Sequence, residues 1–264
     1  MMKYIRIVSR NNELVKEIKK EVALYTLAMV EGPKLIQDII AHNSTFEYVF
    51  VDENKLKQYE PILRLLENTK IITSTDKLIQ HLSEVENHQG LTGFLKAPLM
   101  NVPDVEHIEE GIHIVLYQIQ DPGNMGAMIR TAAAVNARGV ILSHGCAHPM
   151  NPKAIRASAG AVFSLQIAGS PGIKETLQEL KKKGFILIVA DQSSSTMYYE
   201  VNYKGSFVLI MGSEGSGVPL EIMNISDLSV SIPMHHGIES LNVASSAAII
   251  LYEAYRQLNQ RIEH

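Results

Sequence analysis

The second half of the chain contains three segments in which a short apolar run ends abruptly in glycine and polar residues. The polar side chains that could act on a substrate there are Asn124, Arg130, Glu214, Ser240 and Asn242. The planar guanidinium of arginine binds phosphate or carboxylate through two parallel hydrogen bonds. A glycine turn lets a flat polar ligand approach the backbone closely. Three such breaks in one region predict a binding site for a polar ligand.

Arg130 lies on a predicted helix over residues 124–136, among alanine, methionine and isoleucine neighbours. A charge in such surroundings is unfavourable unless the guanidinium meets a phosphate or a carboxylate, so we expect Arg130 to be functional. We place Asn124 at the N-cap of this helix, where asparagine satisfies free backbone N–H groups. Capping alone is the alternative role for Asn124.

The glycine segment at residues 212–217 follows a predicted strand at 207–211. Its glycine spacing differs from the G-x-G-x-x-G of dinucleotide-binding proteins, and no G-K-[ST] sequence indicates a P-loop. What remains is a backbone-lined turn in which a buried Glu214 would need hydrogen-bond partners. A simple turn with an exposed Glu214 is the alternative.

The last helix, predicted over residues 242–260, could be capped by Ser240 or Asn242. Its small residues at 244–248 permit close helix packing and suit a dimer interface. We predict no metal site, because neighbouring His235 and His236 point apart and lack a third ligand at suitable spacing.

The composition is that of a globular protein outside the membrane. The chain has 264 residues, 46% of them hydrophobic and 20% charged, with a formal net charge of −4. No apolar run approaches the roughly 20 residues of a membrane span, and no signal-peptide core follows the N-terminus. The single cysteine, Cys146, excludes an internal disulfide and is expected to be a structural thiol. We predict a cytoplasmic location.

Alternating elements indicate an α/β protein with two domains and a linker. The predicted strands of the first hundred residues are 48–52, 70–72 and 91–95, and the predicted helices are 11–20, 32–42, 54–68 and 75–86. In the second half the predicted strands are 113–118, 139–143, 163–167, 185–190, 207–211 and 228–232, and the helices are 124–136, 152–158, 173–183, 219–223 and 242–260. Near-continuous apolar strands predict a parallel sheet covered on both faces. The predicted domains are 1–98 and 111–264, joined by a proline-containing linker at 99–110.

Taken together, these segments resemble the SpoU (TrmH-type) branch of the SPOUT superfamily of RNA 2′-O-ribose methyltransferases. The motif N-x-G-x-x-x-R-T-A corresponds to Asn124–Ala132, and G-x-E-G-x-G corresponds to Gly212–Gly217. The motif I-P-M followed by S-L-N-V-A corresponds to Ile232–Met234 and Ser240–Ala244. Residues 156–161 resemble the family segment between the first two motifs. The N-terminal domain is similar to L30e-like RNA-binding domains, although Val22–Thr26 lacks the basic run that the family carries there.

This resemblance implies a deep trefoil knot in the C-terminal domain, whose loops would hold S-adenosylmethionine. The residues expected to bind this cofactor are Leu209, Met211, Gly212, Ile232, Met234 and Leu241. The family is dimeric, and its proposals make Arg130 the key residue, bound to an RNA phosphate. A guanidinium cannot accept a proton near neutral pH. Either a phosphate therefore takes the hydroxyl proton or Arg130 acts electrostatically.

The implied reaction is methyl transfer to a ribose 2′-hydroxyl, with Asn124, Glu214, Ser240 and Asn242 orienting the reacting groups. The additional N-terminal domain favours 23S ribosomal RNA as the substrate over transfer RNA. A transfer-RNA methyltransferase is the first alternative. A non-catalytic RNA-binding relic is the second, although such a relic would be expected to lose Asn124, Arg130 or Asn242, and all three are present.

Overall fold

The computed structural model describes residues 4–41, 44–98, 100–235 and 240–259 of the chain. These residues form two compact units. The first unit comprises the described residues of 1–99 together with Met150–Phe163, and the second comprises those of 100–149 and 164–264. The chain therefore leaves the second unit after Pro149 and returns to it at Ser164. The domain boundaries predicted from sequence order stay a prediction.

The first unit contains a mixed five-stranded sheet in the order β1-β4-β3-β5-β2. Its strands are β1 (Tyr4–Arg6), β2 (Leu27–Glu31), β3 (Tyr48–Asp52), β4 (Lys70–Ser74) and β5 (Leu91–Lys96). Its helices are α1 (Glu13–Ala23), α2 (Pro33–Ala41), α3 (Leu56–Leu63), α4 (Asp76–Leu82) and, from the later segment, α6 (Pro152–Ala157). Strand β4 runs parallel to β1 and β3, whereas β5 runs antiparallel to β2 and β3.

The core of the first unit forms where α1 and α4 bury their apolar faces against the sheet. Val15 and Ile18 of α1 pack with Phe50 and Phe94 of the strands, whose rings meet edge to face at 5.7 Å. On β5, Gly93 is required by packing, because a Cβ there would lie 2.5 Å from the ring of Phe46. A larger residue at this position would force the Phe46 ring to move.

Helix α6 is held in the first unit by a largely buried ion pair. Arg156 donates from Nη1 to Oε2 of Glu31 at 2.9 Å, and the Glu31 side chain is only 6% exposed. The Ser83 hydroxyl donates to the other carboxylate oxygen of Glu31. An ionised carboxylate at this depth needs such partners, because leaving it unpaired is costly.

The second unit contains a six-stranded parallel sheet in the order β11-β9-β10-β6-β7-β8. Its strands are β6 (Ile112–Leu116), β7 (Gly139–Ser143), β8 (Gln166–Ser170), β9 (Ile186–Ala190), β10 (Phe207–Met211) and β11 (Leu228–Val230). Its helices are α5 (Pro122–Ala134), α7 (Ile173–Lys182), α8 (Leu220–Met223) and α9 (Val243–Asn259). In β10 both the residues that pack with α7, such as Ile210, and the alternate ones, such as Leu209, are fully buried. Both faces of the sheet are therefore covered, as in other parallel sheets.

Several predicted elements are confirmed to the residue, and others are wrong at their ends. Strands at 48–52, 139–143 and 207–211 match β3, β7 and β10. The prediction missed β1 and β2, and it placed β8 at 163–167 although the strand begins at Gln166. Phe163 instead ends a 3-10 helical turn, Ala161–Phe163. The predicted helix ends at His42 and Gln260 lie outside the described residues.

The α/β class with a parallel second sheet is confirmed, and the trefoil knot stays a prediction. Among the residues that the structure describes, no helix has both the length and the apolar character that crossing a bilayer requires.

Candidate active site

The candidate site lies at the carboxyl ends of the central strands of the second unit. There the loops after β9, β10 and β11 and the start of α9 enclose a cavity of about 690 Å³. Loops at this edge of a parallel sheet are where α/β proteins bind their ligands. Of the predicted site residues, the cavity is lined by Met211, Gly212, Glu214, Ile232, Met234, Ser240, Leu241 and Asn242.

A tight turn after β10 forms one wall of this cavity. Its ends are joined by a bridge in which the Gly217 N–H donates to the Ser213 carbonyl oxygen at 2.9 Å. Gly217 adopts a positive φ of 64°, which favours glycine. At Gly212 a Cβ would overlap the carbonyl carbon of Gly217 and lie 2.6 Å from the Val218 nitrogen. The turn itself therefore requires glycine at both ends, whatever ligand it meets.

Three predicted catalytic side chains form a continuous hydrogen-bonded chain. The Asn124 amide nitrogen donates to Oε1 of Glu214, and the Asn242 amide nitrogen donates to Oδ1 of Asn124 at 2.9 Å. Asn124 thus uses both ends of its amide, and its orientation is fixed by its neighbours. The carboxylate of Glu214 is exposed, so the expectation of a buried charge is wrong. Its expected hydrogen bond is present.

The N-cap of α5 is Asp121, and the prediction that Asn124 fills this position is wrong. The Asp121 carboxylate accepts a hydrogen bond from the backbone nitrogen of Asn124 at 2.8 Å, and Pro122 opens the helix. An acidic cap before proline is a common start signal, so the Asp-Pro pair could have revealed it. Because Asp121 caps the helix, the Asn124 side chain is available to the hydrogen-bonded chain.

Asn242 has two functions in the structure. Its Oδ1 accepts from the backbone nitrogens of Ala244 at 2.9 Å and Ser245 at 3.3 Å, which caps α9. Its amide nitrogen meanwhile donates to Asn124. The capping role and the site role, which the sequence left as alternatives for this region, therefore coexist in one side chain.

Arg130 lies on the exposed side of α5 and does not line the cavity. The expectation that apolar neighbours surround it is wrong, because those neighbours face the interior while Arg130 faces outward. Within the described ranges, its guanidinium makes no hydrogen bond or ion pair. An exposed and unpaired guanidinium is available to an external anion.

One predicted cofactor residue lies away from the cavity, and one cavity wall was not predicted. Leu209 is fully buried inside β10 and does not contact the cavity. The loop after β9 supplies Asp191 and Gln192 to the lining. The Asp191 carboxylate is held by Ser193, whose backbone nitrogen donates at 3.0 Å and whose hydroxyl donates at 2.7 Å. No sequence motif marks this loop; only its place after a parallel strand could have indicated it.

Cys146 has the environment of a structural thiol. Its Sγ donates to the Leu116 carbonyl oxygen at 3.1 Å, and burial raises the pKa of the thiol above its usual value. A raised pKa keeps the sulfur protonated and unreactive near neutral pH. Within the residues described, no group of three or more His, Cys, Asp or Glu side chains is arranged to hold a metal ion.

Comparisons with known families match both parts of the chain. Residues 111–252 match the SpoU rRNA Methylase family, and residues 29–99 match the family described as RNA 2′-O ribose methyltransferase substrate binding. The chain therefore belongs to the SpoU rRNA methylase family, as its motifs predicted. It is an RNA methyltransferase with an N-terminal substrate-binding domain.

Relatives and solved structures agree with this assignment over nearly the whole chain. The chain is 27% identical to the 23S rRNA (guanosine(2553)-2′-O)-methyltransferase RlmP of Bacillus subtilis, over 94% of this chain and 98% of the relative. It is 31% identical to the 23S rRNA (guanosine-2′-O-)-methyltransferase RlmB of Neisseria meningitidis, over 72% and 78%. The AdoMet-bound rRNA methyltransferase of Sinorhizobium meliloti superposes with a TM-score of 0.82 at 27% identity, covering 97% and 98% of the two chains.

Proposed function

We propose that this protein transfers a methyl group from S-adenosylmethionine to a ribose 2′-hydroxyl of 23S ribosomal RNA. The observation that carries the proposal is the chain of hydrogen bonds from Glu214 through Asn124 to Asn242 at the cavity. Three segments that are distant in sequence, namely the first turn of α5, the turn after β10 and the start of α9, bring together polar groups able to orient a hydroxyl. The relatives whose names specify 2′-O methylation of 23S rRNA support the choice of substrate.

The cavity suits S-adenosylmethionine in size and chemistry. Its volume of about 690 Å³ lies within the range of small-molecule sites. Met211, Ile232 and Leu241 offer apolar surface and backbone groups for the adenosine, and the exposed turn at Gly212–Gly217 presents main-chain groups without bulky side chains. Met234 also lines the cavity, while Leu209 supports it from within β10. When bound, the cofactor supplies an electrophilic methyl group on a sulfonium sulfur.

The residues of this chain align the hydroxyl and manage its proton. Asn124, Glu214, Ser240 and Asn242 supply donors and acceptors that hold the ribose in line with the methyl group. Arg130 binds an RNA phosphate through its unpaired fork of donors. Because a guanidinium does not accept protons, the 2′-hydroxyl proton passes to a phosphate oxygen, and Arg130 positions that phosphate.

The proposed active form is a homodimer that associates through α9. On this helix Tyr252 and Tyr255 are 51% and 37% exposed, with their rings 6.2 Å apart. Aromatic residues that are exposed in the single subunit are enriched at the centre of protein interfaces, where association buries them. Light scattering should find a dimer for the wild type and a monomer for Tyr252→Glu, whereas Leu65→Glu, at an exposed residue of the first unit, should remain dimeric. A dimeric Tyr252→Glu protein would contradict this interface.

The decisive test is methyl transfer from tritiated S-adenosylmethionine into 23S ribosomal RNA from a strain that lacks the gene. The proposal expects incorporation at one nucleotide that becomes resistant to alkaline cleavage, because a 2′-O-methyl group removes the attacking hydroxyl. Incorporation into transfer RNA in place of ribosomal RNA would overturn the substrate. Incorporation that leaves the backbone cleavable would overturn 2′-O transfer.

A further inference from the structure

The first unit contains a second cavity, of about 280 Å³, that the proposed reaction does not use. It lies between the end of α1, the end of α4 and the start of α6. Its apolar lining comes from Ile18, Val22, Met29, Leu82 and Phe94. Asn151 also lines it; its Oδ1 accepts from the backbone nitrogen of Lys153 at 2.9 Å, which leaves the amide nitrogen as a donor.

Positive groups gather at this cavity. The Lys19 ammonium lines it and lies 3.3 Å from the carbonyl oxygen and 3.4 Å from Nε2 of His81. Burial lowers the pKa of His81, and the positive charges of Lys19 and Arg10 lower it further. In the part of the chain that the structure describes, Arg10 makes no ion pair. The acidic group on the lining is Glu84, which is exposed.

We propose that this cavity binds one nucleotide of the RNA substrate, with the base among the apolar side chains and its phosphate at Lys19. This inference rests on the proposed function only in taking RNA as the substrate. A flat base matches an aromatic and aliphatic lining, because every base has a face that packs against such groups. The exposed cations supply the charge complementarity that a phosphate requires. The Asn151 amide and the Glu84 carboxylate offer a donor and an acceptor to the edge of the base.

The first test fills the cavity without changing the charge. Val22→Trp places a large ring among the lining residues, whereas Leu24→Trp adds the same ring at a neighbouring position that is 62% exposed and outside the cavity. Binding of a fluorescein-labelled single-stranded RNA of mixed sequence is followed by anisotropy with the full chain and no cofactor. Val22→Trp should weaken binding about tenfold, as expected for losing one stacked base, and Leu24→Trp should not. Equal affinities for two folded variants would overturn the proposal.

A second pair of variants tests the phosphate contact. Lys19→Ala removes the lining ammonium, and Lys20→Ala removes an exposed cation of the same helix that does not line the cavity. Lys19→Ala should reduce the slope of log affinity against log salt by roughly 0.7, the value for one phosphate contact in single strands. Lys20→Ala should leave this slope closer to that of the wild type. An unchanged slope in Lys19→Ala would overturn the phosphate assignment.

A base with a phosphate could come from RNA or from a free nucleotide, and a competition experiment distinguishes these two ligands. Guanosine and adenosine monophosphates are added as competitors to the protein–RNA complex. Displacement only at concentrations far above that of the RNA supports an RNA nucleotide, whereas displacement at equal concentration would overturn the assignment in favour of a free nucleotide. These assays measure binding alone. A wild type that methylates RNA while Val22→Trp binds it normally would refute this inference and leave the proposed function intact.

Discussion

Oδ1 of Asn124 accepts a hydrogen bond from the amide nitrogen of Asn242 at 2.9 Å, across 118 residues of sequence. This bond joins the first turn of α5 to the residue that caps α9. Because Asn124 also donates to Glu214, the amide can be oriented in only one way. The arrangement predicts that the three side chains act as a unit, so that substitutions in them should not be additive.

Moving the carboxylate from position 214 to position 124 tests whether the reaction needs a hydrogen bond between these two side chains. Asn124→Asp brings a carboxylate against Glu214, and like charges at hydrogen-bond distance repel, so we expect methyl transfer to fall about 100-fold. The double variant Asn124→Asp with Glu214→Gln restores one donor and one acceptor in reverse order. The double variant should be more active than the two single losses predict when they are added, by a coupling free energy of about 1 kcal/mol. Strict additivity in single-turnover assays would show that the bond has no role in turnover.

Two glycines of the turn after β10 provide a test variant and its control. Gly212→Ala forces a Cβ into the backbone of Gly217 and Val218, whereas nothing lies within 4 Å of a Cβ on Gly215. Gly212→Ala should therefore deform the turn and weaken S-adenosylmethionine binding about tenfold, because misplaced backbone groups no longer meet the ligand. Gly215→Ala should bind close to normally in calorimetry. Equal affinities would mean that the turn does not contact the cofactor.

Arg130 should be dispensable for the fold and required for the reaction. Since it is exposed and unpaired, Arg130→Ala removes no internal contact, and the melting temperature should stay close to that of the wild type. Loss of the phosphate contact should reduce methyl transfer about 100-fold. Arg130→Lys should also fail, because an ammonium lacks the planar fork. A fully active Arg130→Ala protein in the tritium assay would remove Arg130 from the mechanism.

The ion pair between Arg156 and Glu31 should stabilise the first unit. Arg156→Ala leaves a carboxylate that is 6% exposed without its cation and should cost about 2 kcal/mol, less than a fully buried pair because Arg156 is 32% exposed. Arg64→Ala breaks an exposed pair with Glu60, which water screens, so this variant should be nearly as stable as the wild type. Hydrogen exchange of β2 amides measures the local opening that Arg156→Ala causes, and Arg64→Ala is the control. Equal exchange in the two variants would contradict a stabilising role.

His113 should make the second unit less stable in acid. Burial lowers its pKa in the fold, against a weaker opposing effect of the Glu109 carbonyl oxygen, which contacts Nε2 at 2.8 Å. The unfolded chain binds this proton first, so the stability from His113 is present above about pH 6.5 and is lost as the pH falls towards the folded value. In urea titrations, the free energy of unfolding of His113→Phe should fall less between about pH 7 and pH 5 than that of the wild type. An unchanged pH slope would show that His113 does not contribute to it.

Sequence patterns located the strands whose apolar residues are continuous and buried on both faces. Phe207–Met211 and Gly139–Ser143 are such strands, and both were predicted to the residue. The strand Tyr4–Arg6 was missed because it is a short edge strand, with exposed residues that give no apolar run. Strand β8 was displaced towards Phe163, since an apolar residue in a 3-10 helical turn resembles the start of a strand.

The motif residues were found from sequence, but their connections were not. The sequence pattern placed Asn124 and Asn242 at the starts of helices and Glu214 in a glycine turn after a strand. The bonds between them depend on long-range packing, which a local pattern cannot specify. The exposure of Arg130 could not be predicted from its neighbours in sequence, because those neighbours are apolar while Arg130 itself faces outward from α5. Local composition therefore suggested burial where the helix presents an exposed face.

The return of Met150–Phe163 to the first unit limits how this protein can be divided. A compact unit built from two separate stretches of chain cannot be transplanted as one piece. A chimera that exchanges only the N-terminal stretch with that of a relative would pair Glu31 of one protein with the α6 arginine position of another. An exchange that preserves the fold must therefore move both stretches together, so residues 150–163 belong with the N-terminal stretch in any chimera although they lie in the middle of the methyltransferase sequence.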